Sequence, residues 1–154
     1  MTQISIETAV VVTELSRRTW YRRIEEGAAS KRGTDPGMRT TIPLADVAPL
    51  ICIPMDAEDL EYLAAADAGD AEAQDDMGQL FLAAGKHAAA IYWLEQAAKQ
   101  EYPNAMQCLG RCYLAGDGVP KDENLAIMWI AKAAAHGHII ATEQLAALKK
   151  KALT

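Results

Sequence analysis

The sequence predicts a mainly α protein in two modules: a small N-terminal domain of helices with a hairpin, followed by a short α-solenoid of helix pairs. Three observations carry this. The 154 residues are 51% hydrophobic with one Phe, three Trp and five Tyr, and alanine comes in long runs. That composition supports a real core of closely packed helices and excludes wholesale disorder. Charge is uneven: residues 1–54 hold seven Lys and Arg against six Asp and Glu (net +1), and 55–154 hold eight against fifteen (net −7). The second half also repeats itself. The modules are therefore placed at 1–54 and 55–154.

In the first module, Ile4, Ile6 and Ala9–Val12 read as a short extended start leading into a helix, broken at Thr13–Leu15. Ser16 is a good N-cap for a second helix over 16–27, which Gly27 stops. Trp20 and Ile24, four apart, face a core together and leave Arg17, Arg18, Tyr21 and Arg22 on the other side. Four arginines at 17, 18, 22 and 23 exceed what solubility needs, and guanidinium forks suit phosphate oxygens and guanine edges. Gly33, Asp35, Pro36 and Gly37 then make a turn between Lys31–Arg32 and Met38–Ile42, a hairpin with a basic flank that includes Arg39. A short helix, Leu44–Leu50, follows Pro43.

Helix, turn, basic helix, basic hairpin and closing helix is the order of a winged helix-turn-helix. Over roughly residues 4–51 the segment resembles the small winged-helix domains of the MerR and excisionase type, whose recognition helix matches the stretch Ser16–Arg22. The resemblance implies contact with double-stranded DNA through Arg17, Arg18, Tyr21, Arg22, Lys31, Arg32 and Arg39. Such a small unit offers few phosphate contacts, so a homodimer on a pseudo-palindrome is expected. Glu7 and Glu14 in the first helix favour an alternative, a protein-docking domain whose arginines pair with glutamates.

In the second module, AQDDMGQLFLAAG (73–85) aligns with AMQCLGRCYLAGDG (105–118) at an offset of 32, and IYWLEQAAKQEYPNA (91–105) with IMWIAKAAAHGHIIA (127–141) at an offset of 36. The difference falls where GDGVPKDENLA replaces AGKHAAA. Tyr62, Ala65, Ala66, Gly69 and Ala73 repeat the tail of the unit as a partial third copy. Each unit holds two amphipathic helices, expected near 57–68, 71–84, 86–99, 103–115, 122–136 and 139–152. Asp70, Asn104 and Asp122 are the expected N-caps, and glycines 69, 85, 116, 118 and 137 punctuate the helix ends.

The stretch LGRCYLAGDGVPKDENLAIMWIAKAAAHG resembles the Sel-one-like (SLR-type) repeat, a relative of the tetratricopeptide repeat. The match runs through Ala105, Leu109, Gly110, Tyr113, Gly116, Gly118, Val119, Asp122, Ala126, Trp129, Lys132, Ala133, Ala134 and Gly137. The preceding unit lacks the Gly-x-Gly-Val loop. The resemblance implies a right-handed helical solenoid that binds other proteins and has no enzymatic activity. Its concave face, lined by the first helix of each pair, offers Asp75, Gln79, Gln107 and Arg111 to a protein partner. The acidic run Asp67, Asp70, Glu72, Asp75, Asp76 reads as a solvated face, and Lys149–Lys151 as complements to the last helix dipole.

No phosphate-binding loop or Ser/His/Asp set is present, so no enzyme, cofactor or metal is expected. Cys108 and Cys112 read as small apolar residues of a helix, because the Cys-x-x-Cys spacing of structural zinc sites is absent. An odd number of cysteines and no secretion-type or membrane-length apolar stretch point to a cytoplasmic protein with no membrane contact. The function expected is a DNA-binding transcriptional regulator whose repeats bind a protein or dimerise. The alternative is an adaptor in which both modules bind proteins.

Overall fold

The computed structural model of the chain describes residues 1–27, 29 and 33–153. They form two compact units, Met1–Gly69 and Asp70–Thr154. The division falls after the helix at 57–67 rather than at 54/55, and a buried aspartate explains why.

The first unit runs β1 (Gln3–Ser5), α1 (Ile6–Thr13), α2 (Arg17–Glu25), β2 (Gly33–Thr34), β3 (Thr40–Pro43), α3 (Leu44–Val47) and α4 (Ala57–Asp67). The strands make an antiparallel sheet in the order β1-β3-β2, with Ile4 opposite Ile42 and Thr34 opposite Thr40. The extended start is shorter than expected. Ser5 already caps α1, its hydroxyl accepting from the Thr8 N–H at 3.2 Å, so Ala9–Val12 is helical throughout. Ser16 caps α2 through the Thr19 N–H, as its position predicts. Gly33 lies in β2 rather than in the turn, and Lys31 and Arg32 fall outside the described residues. The closing helix splits into α3 and a 3-10 turn, Ala48–Leu50, where Pro49 cannot donate to an α-helical ladder.

Ile4, Ile6, Ala9, Val12, Trp20, Ile42, Val47 and Leu63 fill the core of this unit. The buried Trp20 indole N–H is satisfied by Thr13 Oγ1 at 3.1 Å, and that hydroxyl donates to the Ala9 carbonyl at 2.6 Å.

Asp67 ends α4, where the helix dipole disfavours a carboxylate. It is held at the opposite kind of position, the N-terminus of α1. Asp67 Oδ1 accepts from Ser5 Oγ and Thr8 Oγ1, each at 2.6 Å, and Oδ2 accepts from the Ser5 N–H at 3.1 Å. With its side chain only 6% exposed, Asp67 fastens α4 to the first strand and helix. That makes α4 part of this unit.

The second unit consists of α5 (Ala71–Ala83), α6 (His87–Lys99), α7 (Pro103–Ala115), α8 (Glu123–Ala135) and α9 (Ile139–Ala152), each within two residues of its expected bounds. Asp70 and Asp122 cap α5 and α8 as expected. Asn104 does not cap α7. Tyr102 holds that place, because Pro103 occupies the first helical position, where its missing N–H costs nothing. Gly116 closes α7 in the left-handed conformation, φ 74°. Helix pairs pack through glycine: a methyl group on Gly78 would lie 2.7 Å from Leu94 Cδ2, and one on Gly110 would lie 2.6 Å from Ile130 Cγ1. Around these contacts Ile91, Leu94, Ala97, Met106, Leu109, Ile130, Ala133 and Ala141 form a continuous core.

Candidate functional site

Two polar surfaces carry the side chains singled out from the sequence, one in each unit. On α2, the arginines meet different fates. Arg17 pairs with Glu7 of α1, and the hydrogen bond to that carboxylate raises the guanidinium's pKa. Tyr21 is half-buried beside Arg17. Arg23 lies over the Trp20 ring, 5.8 Å from its centroid. Arg18 and Arg22 are exposed and form no ion pair among the described residues.

Arg39 is exposed but tied down. Its Nε donates to Asp35 Oδ2 at 2.6 Å, its backbone N–H to Asp35 Oδ1 at 2.8 Å, and its Nη2 to the Asp67 carbonyl at 3.2 Å, with Nη1 3.4 Å from Asp67 Oδ1. The Arg39 backbone N–H, more than any other group, holds the Asp35 carboxyl below its ordinary pKa. Two carboxylates thus neutralise the hairpin's arginine. A cleft of about 400 Å³ beside it is lined by Gln3, Gly37, Thr41 and Ala64 together with these charges.

In the second unit, the first helices of successive pairs are joined by a ladder of hydrogen bonds. Asp75, buried on α5, accepts from Asn104 Nδ2 of α7 at 2.7 Å and lies 3.5 Å from Gln79 Nε2. His138 Nε2 lies 3.3 Å from Asn104 Oδ1, while His138 Nδ1 caps α9 by accepting the Ala141 N–H at 3.1 Å. The neutral tautomer protonated at Nε2 satisfies both contacts. Gln107, also buried, donates to Gln144 Oε1 of α9 at 3.0 Å. Gln100 donates to Gln74 Oε1 at 2.9 Å.

Of the four residues assigned to a concave face, Asp75 and Gln107 therefore spend their polar atoms inside the unit. Gln79 is half-buried and Arg111 is exposed. Asn104, His138 and Gln144 were not singled out as partners, and their spacing of 29 and 37 residues from Asp75 and Gln107 follows no single repeat period. Asp67 did carry a signal, since an acid in the last turn of a helix calls for an outside partner.

Cys108 and Cys112 are buried on α7 and hydrogen-bonded to each other. The Cys112 thiol, helped by Gln79 and by Arg111 Nη2 at 3.4 Å, holds the Cys108 thiol's pKa below its ordinary value, and the same contact pushes that of Cys112 up. Among the described residues no three His, Cys, Asp or Glu side chains are grouped to hold a metal ion. Nor is any helix among them long and apolar enough to cross a membrane.

Residues 71–102 and 103–138 match the family model described as Sel1 repeat. The helix pairs α5–α6 and α7–α8 are thus similar to Sel1 repeats. Two solved structures bear this out at the level of fold. A Sel1 repeat protein from Oxalobacter formigenes is 34% identical over 55% of this chain and 36% of that one, with a TM-score of 0.52. The antigen c5321 of uropathogenic Escherichia coli, which displays an SLR fold, is 26% identical over 84% of this chain and 27% of that one, with a TM-score of 0.57. The chain thus spans about a third or less of the length of these neighbours. No curated protein matches it. The Sel1-like matches begin at Ala71, one residue past the start of the second unit, so Tyr62, Ala65, Ala66 and Gly69 of the partial copy lie in the first unit and Ala73 in the second.

Proposed function

We propose that the chain is a non-catalytic adaptor whose Sel1-like repeats hold a protein partner. The observation that carries this reading is the pair of family matches over α5–α8, built as helix pairs whose first helices are tied edge to edge by buried polar side chains. In this reading Asp75 and Gln107 set the spacing of the receiving surface, and Gln79 and Arg111 touch the partner. Three free cysteines suit a reducing cytoplasm. The test is photo-crosslinking of the full chain in cells, with the crosslinker at position 79 or 111, and at Lys132 on α8 as control. One protein captured from 79 and 111 but not from 132 supports the reading. Equal capture from all three, or none, overturns it.

A second reading, a winged-helix regulator on double-stranded DNA, rests on Arg18 and Arg22, which stand exposed on α2 with no ion pair among the described residues. Against it, Arg17 and Arg39 are neutralised within the unit. Fluorescence anisotropy of the chain with genomic duplex fragments at low and high salt decides. Steeply salt-dependent binding that Arg18→Ala and Arg22→Ala together abolish would establish DNA binding. No binding at low salt leaves the adaptor alone.

A further inference from the structure

Helix α9 lies beyond the second Sel1-like match, which ends at His138, and its outer face is unusual. Ile139, Ile140 and Leu153 are 75%, 57% and 89% exposed. The rotation of α9 is fixed by Ala141, fully buried, and by Leu145 and Leu148, which pack on the same core. At 100° per residue, the side turned away from that core presents Ile139, Glu143, Ala146 and Lys150, with the C-cap Leu153 at its edge, spaced four, three, four and three. All five are exposed. This is the spacing of a seam between two helices, apolar at both ends, small in the middle, with one acid and one base between.

The order of those five residues makes the seam complementary to itself. Laid antiparallel about a two-fold axis at Ala146, a second α9 sets Leu153 against Ile139 and Ala146 against Ala146, and brings Lys150 within one residue, about 1.5 Å along the axis, of Glu143. Opposite charges come together twice, the small central residue lets the backbones approach, and the two helix dipoles oppose. We propose that the outer face of α9 is a homodimer interface in which two copies of this chain pair α9 antiparallel in this register. Fourteen residues make a helix about 21 Å long. A patch of that length buries less than the roughly 1,200 Å² of a standard stable interface, so the dimer is weak and concentration-dependent. The proposal does not depend on the adaptor reading, because no residue of the seam belongs to the receiving surface.

Sedimentation equilibrium of the full chain, from about 1 μM to several hundred micromolar, tests it over the affinities so small a patch allows. The wild type is expected to dimerise reversibly in the upper part of that range. Lys150→Glu, which sets two acids against each other, should weaken association at least tenfold. Adding Glu143→Lys to it should restore the association, because the swapped charges again face their opposites. Circular dichroism should be the same for all three, since both side chains are exposed. A chain that stays monomeric throughout assigns the face to a different protein and overturns the proposal. So does Lys150→Glu associating like the wild type, or a double variant that fails to recover.

Discussion

Ile91 and Ile127 hold the same place in successive repeats, as do Trp93 and Trp129, yet only the first of each pair is covered. Ile91 is 7% exposed and Ile127 40%; Trp93 is buried and Trp129 half-buried. The residues are alike, so the cause lies outside them. Gly118, in the loop of the second repeat, sits directly on α6 of the first: a methyl group there would lie 2.9 Å from His87 Cβ and 3.0 Å from Ile91 Cγ1. The loop that distinguishes the second repeat is thus the cover of the one before it. Trp129 is half-buried and takes the Lys132 ammonium 5.4 Å from its ring centroid. In a stack of repeats, a residue's depth is set by its neighbour in the array.

The sharpest way to break this comparison is to remove the two tryptophans. Trp93→Ala should cost the repeat unit about 3–5 kcal/mol in urea unfolding, and Trp129→Ala about half as much. Equal losses would mean that the difference in burial between the two tryptophans carries no energetic weight. Next come the crossing glycines. A methyl at position 110 meets the Ala126 carbonyl at 3.0 Å as well as Ile130, whereas at position 78 it meets chiefly the Leu94 side chain, which can turn away. Gly110→Ala should therefore destabilise by about 2–3 kcal/mol and Gly78→Ala by less, read from the shift in denaturation midpoint.

A smaller effect separates two left-handed glycines. Gly118→Ala adds crowding against α6 to the strain of φ 75°, while Gly137→Ala, at φ 83°, has nothing within 4 Å. Both should lose about 1 kcal/mol from strain. Only Gly118→Ala should also speed amide exchange in α6 around Ile91. The smallest expected effect concerns an acid the second repeat lacks. Burial, then Asp75, Glu72 and Asp70, raises the Asp76 pKa, so its ionised form destabilises the fold at neutral pH and protonation relieves this as pH falls through the raised value. Asp76→Asn should raise the melting temperature slightly at pH 7, and the gain should vanish in acid.

The repeats were legible in the sequence because their register is written in residues that pack: Ala73 and Ala105, Gly78 and Gly110, Trp93 and Trp129. Helix bounds followed from the same pattern. What the sequence did not show was which side chains find each other across distance. Asp75 and Gln107 have the polarity of a binding face, and only the packing of α5, α7 and α9 reveals that their polar atoms are occupied. Arg17 and Arg39 read as free cations until Glu7, Asp35 and Asp67 are placed beside them. Asn104 is not the N-cap because Pro103 already takes the first helical position, which leaves the cap to Tyr102.

The Asp67 clasp also bears on how such a chain can be rearranged. A gene fusion that borrows the repeats should start at Asp70, where the second unit begins. One that borrows the first unit and stops near residue 55 leaves behind the carboxylate that accepts from Ser5, Thr8 and Arg39, and takes α1 without its anionic cap. The natural seam for shuffling is the glycine at 69, and α4 travels with the sequence before it.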